Sequence, residues 1–444
     1  MGLNKKPKGR KRRQKRIIPI PKQGGFLPLL LPILGALGAL GGGAAGIAKA
    51  VNDAKASNQQ LAEQQRHNLA MEKAATGKGL RFRRNKKGKE LDAYTLPCES
   101  ILYLEGSLTT DDGKTPTKLK LINIAFAYIF REVHYELNGV VVDSTRNVGL
   151  TSTLKGYLSY NENESVKLQN AGWFPKTKVL RFNNIFNVCI PLQMLMGFFE
   201  DYKKIILNMK QELVLIRNDL DAVTAADETE KPKINIEKLY WRVPHVSVAI
   251  AQQLQLTKIL DKNVEILLPF RSWQLVEYSS MPETTRHTWP VKTTTKLETP
   301  RHIMIAFQTD KKSKVTSNMS TFDNCNLTNI RIILNSERYP YNDLFLDFNN
   351  EKYATLYEMF SNFRSSYYES GNEPIFNPTE FKDISPVAHI DCSRQKETVQ
   401  QGSVVLRIEI ETATNTDKNT TAYCLILYDR VFRYSPLTKI VRQV

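Results

Sequence analysis

The chain has 444 residues and a net charge of +17, and all of that excess lies at one end. Residues 1–90 hold 21 Lys and Arg against 4 acidic residues, while residues 91–444 hold 41 of each sign. This excludes a uniformly basic protein: a cationic arm is joined to a neutral body of about 350 residues, long enough for two domains.

The arm begins with ten basic and no acidic residues in 1–22, densest over Lys5–Arg16. Such a run cannot collapse against its own repulsion and reads as a nuclear address or a polyanion-binding tail. Gly2 follows Met1, but Lys6 stands where a myristoylation signal needs Ser or Thr. Phe26–Ala48 is 23 residues without a charge, long enough to span a bilayer. Pro28 and Pro32 interrupt its start, and six glycines between Gly35 and Gly46 dilute the rest. The composition favours a segment that inserts into a membrane surface or threads into a protein pocket. A true span, a cleaved signal peptide and a plain linker are the other readings. Its docking side chains are Phe26, Leu27, Leu29, Leu30, Leu31, Ile33 and Leu34. Residues 47–75 carry Ile47, Val51, Ala54 and Leu61 at helical spacing, which predicts a marginal helix. A second basic cluster, Lys78–Lys89, is either another phosphate-contacting patch or a solvated linker.

The body carries 39 of the 41 aromatic residues and reads mainly as strands. Ile122, Ile124, Phe126, Tyr128 and Phe130 alternate and predict a strand. Tyr135–Asp143 centres on Asn138-Gly139, a hairpin signal. A short helix is predicted over Leu150–Tyr160, then a strand placing Phe186, Val188 and Ile190 on one face. Phe199–Asn208 is ambiguous, and the polar stretch Asp219–Lys233 reads as a loop. Tyr353, Leu356, Tyr357, Phe360, Phe363 and Tyr367 form one helical stripe. Val404, Leu406, Ile408 and Ile410 share a strand face opposite Val405, Arg407 and Glu409. Tyr423–Tyr428 is apolar throughout and reads as a buried strand. Short, evenly spaced strands without βαβ alternation predict an all-β body of antiparallel sandwiches or jelly rolls.

The residues offer little chemistry. Cys98, Cys189, Cys325, Cys392 and Cys424 are scattered and form no CxxC pair, against a zinc ribbon or disulfide scaffold and in favour of a reducing compartment. No phosphate-binding glycine motif, HExxH or GxSxG occurs. His389–Arg394 groups a histidine, a cysteine and an arginine, but neighbours on a strand face opposite ways, so it reads as a strand end with a buried Cys392. Arg286-His287 and Arg301-His302 read as ion-pairing positions more readily than as anion sites. No catalytic residue, metal site, cofactor or small-molecule substrate is expected.

Nine body segments resemble the double jelly-roll capsid-like proteins of Polinton/Maverick elements and adintovirus-like viruses. They are YTLPCESILYLEG (94–106), HYELNGVVVDSTRNVGLTSTLKGYLSY (134–160), FNVCIPLQMLMGFFEDYKKII (186–206), LYWRVPHV (239–246), PFRSWQLVEY (269–278), TTRHTWPVKTTTKLETPRHIMIAFQT (284–309), LTNIRIILNSERYPY (327–341), HIDCSRQ (389–395) and TAYCLILYDRVFRYSPL (421–437). The resemblance implies two tandem jelly-roll barrels with short helical insertions, over residues 91–250 and 251–444, three chains forming a capsomer that meets lattice neighbours.

Within the arm, GGFLPLLLPILGALGALGGGAAGIAKAV (24–51) resembles the apolar segment of adenovirus core and minor capsid precursor peptides. That implies an arm, residues 1–90, mostly disordered with a helix over 47–75. It would bind DNA through Lys5, Lys6, Lys8, Arg10, Lys11, Arg12, Arg13, Lys15, Arg16, Arg81, Arg83, Arg84, Lys86 and Lys87, and touch capsid or membrane transiently. Leu40-Gly41-Gly42-Gly43 also fits a viral protease site, with cleavage after Gly43. A basic linker occupies the place where the family would have a strand before Tyr94. Either the first barrel lacks an edge strand, or arm and body are neighbouring proteins joined near residue 90. The expected function is a structural capsid subunit, in the virion and assembled in the host nucleus. The alternative is a domesticated, genome-integrated copy that binds nucleic acid or membrane without assembling.

Overall fold

The chain divides into two units, Met1–Met71 and Glu72–Val444. The computed structural model describes residues 80–83, 94–177, 184–218, 221–225, 227–291, 300–334, 336–394 and 405–444, all in the second unit. The expected docking segment, helix 47–75 and cleavage site lie outside the described residues.

Strands up to residue 246 pair only with one another, as do those from 266 onward, and all pairs are antiparallel. In the first group β1 (Leu80–Arg83), β2 (Ile101–Thr110), β3 (Phe130–Leu137), β4 (Val140–Arg146), β5 (Ile185–Pro191), β6 (Gln211–Arg217) and β7 (Pro232–Arg242) form two sheets, ordered β1-β6-β3-β4 and β7-β2-β5. In the second, β8 (Ile266–Tyr278), β9 (Arg286–Val291), β10 (Pro300–Thr309), β11 (Leu327–Leu334), β12 (Glu337–Tyr339), β13 (Ala388–Asp391), β14 (Leu406–Thr412), β15 (Thr420–Tyr434) and β16 (Val441–Gln443) form sheets β8-β15-β10-β13, with β16 on β15, and β9-β14-β11-β12. Each group is thus a jelly-roll barrel with its apolar faces turned inward. Eight short α-helices are inserted among the described strands: α1 (Ala125–Tyr128), α2 (Val148–Ser159), α3 (Glu162–Leu168), α4 (Gly197–Asp201), α5 (Ile250–Asp261), α6 (Ala354–Ser361), α7 (Phe363–Tyr368) and α8 (Pro378–Ile384).

The strand faces follow the alternation. β2 alternates half-buried and buried along all ten residues, and β5 buries Phe186, Val188 and Ile190. Leu406, Ile408 and Ile410 of β14 are buried while Arg407 is exposed; Val404 lies outside the described residues. Tyr423–Tyr428 is buried throughout. The β3–β4 hairpin turns at Asn138 and Gly139, with φ of 50° and 83° and Leu137 opposite Val140. Two consecutive left-handed residues match the twist of the strands they join, and glycine takes the second without a Cβ penalty.

One expectation fails, and one of the two readings of the arm–body junction falls. Ile122–Phe130 is not one strand: Ile124 has a φ of 52° and starts α1, and β3 begins only at Phe130. Every residue from 121 to 130 is buried, so alternation there marks no single inward face. The first barrel also does not lack an edge strand. Leu80–Arg83, inside the stretch read as arm, pairs with β6 from Leu80–Leu215 to Arg83–Glu212.

Strand register gives a direct test. Leu406 is buried opposite Val291 and Leu334, so Leu406→Asp should lose about 3 kcal/mol or more in urea denaturation, the cost of an unpaired buried carboxylate. Arg407→Asp, on the exposed face beside Glu409, should cost less than about 1 kcal/mol. Equal losses would place the register one residue out.

Candidate assembly site: the seam between the barrels

The first barrel meets the second through α2 and α4. α4 lies against β8 so closely that a Cβ on Gly197 would stand 1.8 Å from the Arg271 carbonyl oxygen; only glycine permits this approach. Asp143 of β4 crosses the same junction. Its carboxylate accepts from Ser272 Oγ at 2.6 Å and from the Phe198 backbone N–H at 2.9 Å. Burial raises the Asp143 pKa, and these hydrogen bonds pull the other way.

The strongest pair is Arg271 with Asp201. The guanidinium reaches both carboxylate oxygens, at 2.8 and 2.6 Å, and the Arg271 backbone N–H adds a bond of 2.8 Å. Such a fork fixes direction as well as distance. The same guanidinium lies 3.6 Å from the Tyr367 ring centroid and donates to the Tyr367 carbonyl at 2.5 Å.

Next to it lies Lys155, an ammonium buried inside α2. Its Nζ donates to Ser159 Oγ at 2.9 Å, Tyr368 Oη at 2.7 Å and both Glu200 oxygens at 3.1 and 3.2 Å. The Trp273, Tyr367 and Tyr368 rings surround it, centroids 4.4–5.0 Å away. Burial lowers the Lys155 pKa, opposed by the charge of Glu200. Glu200 also accepts from the Tyr367 and Tyr368 hydroxyls. Beyond it Arg364 of α7 reaches the Ser159 carbonyl and Glu164. Farther along, Tyr128 Oη donates to the Met319 carbonyl at 2.9 Å and Tyr157 Oη to the Ser320 carbonyl at 2.6 Å.

A histidine pair backs this cluster. His302 Nδ1 is 3.2 Å from His389 Nε2, and His389 Nδ1 is 2.9 Å from the Met359 carbonyl. A carbonyl only accepts, so His389 donates from Nδ1 and its bare Nε2 accepts from His302. Double protonation would set two N–H groups face to face. Burial lowers both pKa values; His389, Arg271 and Lys155 depress His302 further, against Asp391 at 3.8 Å.

The sequence motifs fall in place around this seam. Cys392 is buried just past the end of β13, as expected, and Asp391 accepts from the Ser393 backbone N–H at 2.8 Å. Arg301 pairs with Asp429 at 2.7 Å, as expected of an ion-pairing position. Of the expected DNA-contacting residues, Arg81 and Arg83 lie on β1; Lys5–Arg16, Arg84, Lys86 and Lys87 lie outside the described residues. Sequence reading missed Lys155, Glu200, Asp201 and Arg271. The signal was present in charged residues set among aromatics, as in FFEDY (198–202) and FRSW (270–273). Among the described residues no three metal-ligating side chains cluster, and no helix is long and apolar enough to cross a membrane.

Comparison with known proteins fits this two-barrel geometry. A family model described as a double jelly roll-like domain matches residues 119–432, well over half of the chain. The chain belongs to the double jelly roll-like domain family. No curated protein matches it in sequence. The PBCV-1 virus capsid model is similar at a TM-score of 0.50 and 12% identity, over 83% of this chain and 92% of that one. The Faustovirus major capsid protein is similar at 0.50 and 8%, over 80% and 87%. These two structures share a fold with this chain at low sequence identity.

The histidine pair makes stability depend on pH. Unfolded histidines take up a proton near pH 6.5, while the folded pair resists it. Below that pH the unfolded chain binds more protons, so stability is full above about pH 6.5 and falls as pH drops beneath it. The urea midpoint should therefore fall between pH 7.5 and 5, and His302→Phe should flatten that slope. A variant with the parental slope would show that these imidazoles titrate normally.

Proposed function

We propose that the chain is a structural capsid-type subunit whose two barrels act as one tile, forming homotrimers that pack against like neighbours in a virion shell. The observation that carries this reading is the double jelly-roll fold, shared with two viral capsid structures over at least 80% of each chain. The locked seam supports it, because a tile must keep its barrels in one orientation. The segment resemblances favour an origin among Polinton/Maverick or adintovirus-like elements, with assembly in the host nucleus. The arm, residues 1–90, binds packaged DNA through its basic runs, and Phe26–Leu34 docks on membrane or inner capsid. Pairing of Leu80–Arg83 on β6 completes the first barrel's edge and favours this reading over the domesticated, non-assembling one.

Negative-stain microscopy and sizing of the purified full chain test assembly. Three-fold particles are expected; a chain that stays monomeric at high concentration would sink the capsid reading. The arm has its own test. Phosphate contact makes DNA affinity fall with salt, with a log–log slope of roughly −0.9 per contacted phosphate. Deleting residues 1–22 should flatten that slope; an unchanged slope would remove DNA binding from the basic run.

A further inference from the structure

One end of the body gathers exposed aliphatic side chains and positive charge. Four segments meet there. Asn138 in the β3–β4 turn donates to the Lys439 carbonyl at 2.8 Å, and its backbone N–H to the Lys210 carbonyl at 2.8 Å. Asn208 reaches the Pro436 carbonyl at 3.0 Å, and Ser435 bonds Asn263, just past α5, at 2.5 Å. Glu265 is held by Arg442 and Arg433. This surface therefore comprises 138–141, 203–210, 250–267 and 431–444. Eight basic residues and two acidic ones lie in these segments, in a body whose charges balance overall; Arg433 and Arg442 share Glu265, and Lys210 pairs with Glu212.

α5 crosses this end with none of its twelve residues buried. Its outward ridge runs Ile250, Leu254, Lys258, Lys262 at steps of four, so two aliphatic side chains lead into two ammonium groups on one face. Ile250 and Leu254 are 77% and 60% exposed. Val264, Leu267, Leu437 and Ile440 on the adjoining segments are also exposed, each by about half. Exposed apolar groups that cluster mark a contact surface, whereas scattered ones need no account.

We propose that this end of the body is a lipid-facing surface that settles on an anionic bilayer, α5 lying in the headgroup plane. The chemistry selects this partner. Lysine and arginine attract anionic headgroups, and aliphatic side chains gain by entering the acyl boundary. A nucleic acid would use the cations and leave the aliphatics in water. The contact lies on the folded body and is separate from the arm's docking segment.

Hydrogen exchange and vesicle flotation of the full chain test this. With phosphatidylcholine–phosphatidylglycerol vesicles, amides of 250–262 and 437–440 should gain protection, and with pure phosphatidylcholine they should not. The double variant Ile250→Asp, Leu254→Asp should lose that protection and bind the anionic vesicles roughly tenfold more weakly, since both side chains are exposed and the fold does not need them. Protection of 250–262 with no lipid signal from residues 1–90 would uphold this surface and count against the arm's membrane contact. Three outcomes would overturn the proposal: vesicle protection confined to residues 1–90, protection of α5 that rises with protein concentration without lipid, or the same protection produced by duplex DNA.

Discussion

The buried ammonium of Lys155 sets the terms for the rest of the body. A lysine inside a protein is costly unless its charge is met by a carboxylate and its protons by acceptors. Here α2 brings the lysine, α4 brings Glu200, and the second barrel brings Tyr368 and the aromatic walls. Neither barrel alone completes this set. Removing one partner from a buried pair typically costs about 3–5 kcal/mol, and separating the barrels would part Arg271 from Asp201 and take Tyr368 and the aromatic walls away from the Lys155–Glu200 pair. The polar seam therefore specifies one relative orientation, as a purely apolar junction would not.

That requirement explains the course of the chain between barrels. α4 must approach β8 within backbone contact, hence glycine at 197. The aromatic stripe from Tyr353 to Tyr367 reads as an ordinary core helix. It is split into α6 and α7, and its end does a second job: Phe363 and Tyr367 wall off the lysine and pack on His302. Neutral histidines suit that position, because a further buried cation would stand beside Arg271 and Lys155, and Asp391 opposes that only in part.

The alternation in β5 and β14, the Asn138-Gly139 turn and the buried run at Tyr423–Tyr428 were all legible in the sequence, because local period reports a face wherever one side is wet. The same rule misled at Ile122–Phe130, where both sides are dry and apolar spacing carries no direction. β1 was hidden for the opposite reason: LRFR has four residues and two cations, and only its pairing with β6 makes it a strand. The seam was illegible because its contacts are remote in sequence. Lys155 and Glu200 are 45 residues apart, and Lys155 and Tyr368 are 213 apart. Charged letters inside apolar words, such as FFEDY and FRSW, are the trace such a junction leaves.

Charge is divided between two uses. Within the body, opposite signs are equal in number, and charge pairs gather at the seam: Arg271 with Asp201 and Arg364 with Glu164 join the barrels, and Glu200 meets the buried Lys155 within the first. Basic residues outnumber acidic ones at the end crossed by α5 and in the arm. Lys155 and Arg271 are enclosed between the barrels and already paired, while the basic end crossed by α5 faces outward beside aliphatic side chains. That partition keeps the charges that fix the two barrels together apart from those that face solvent.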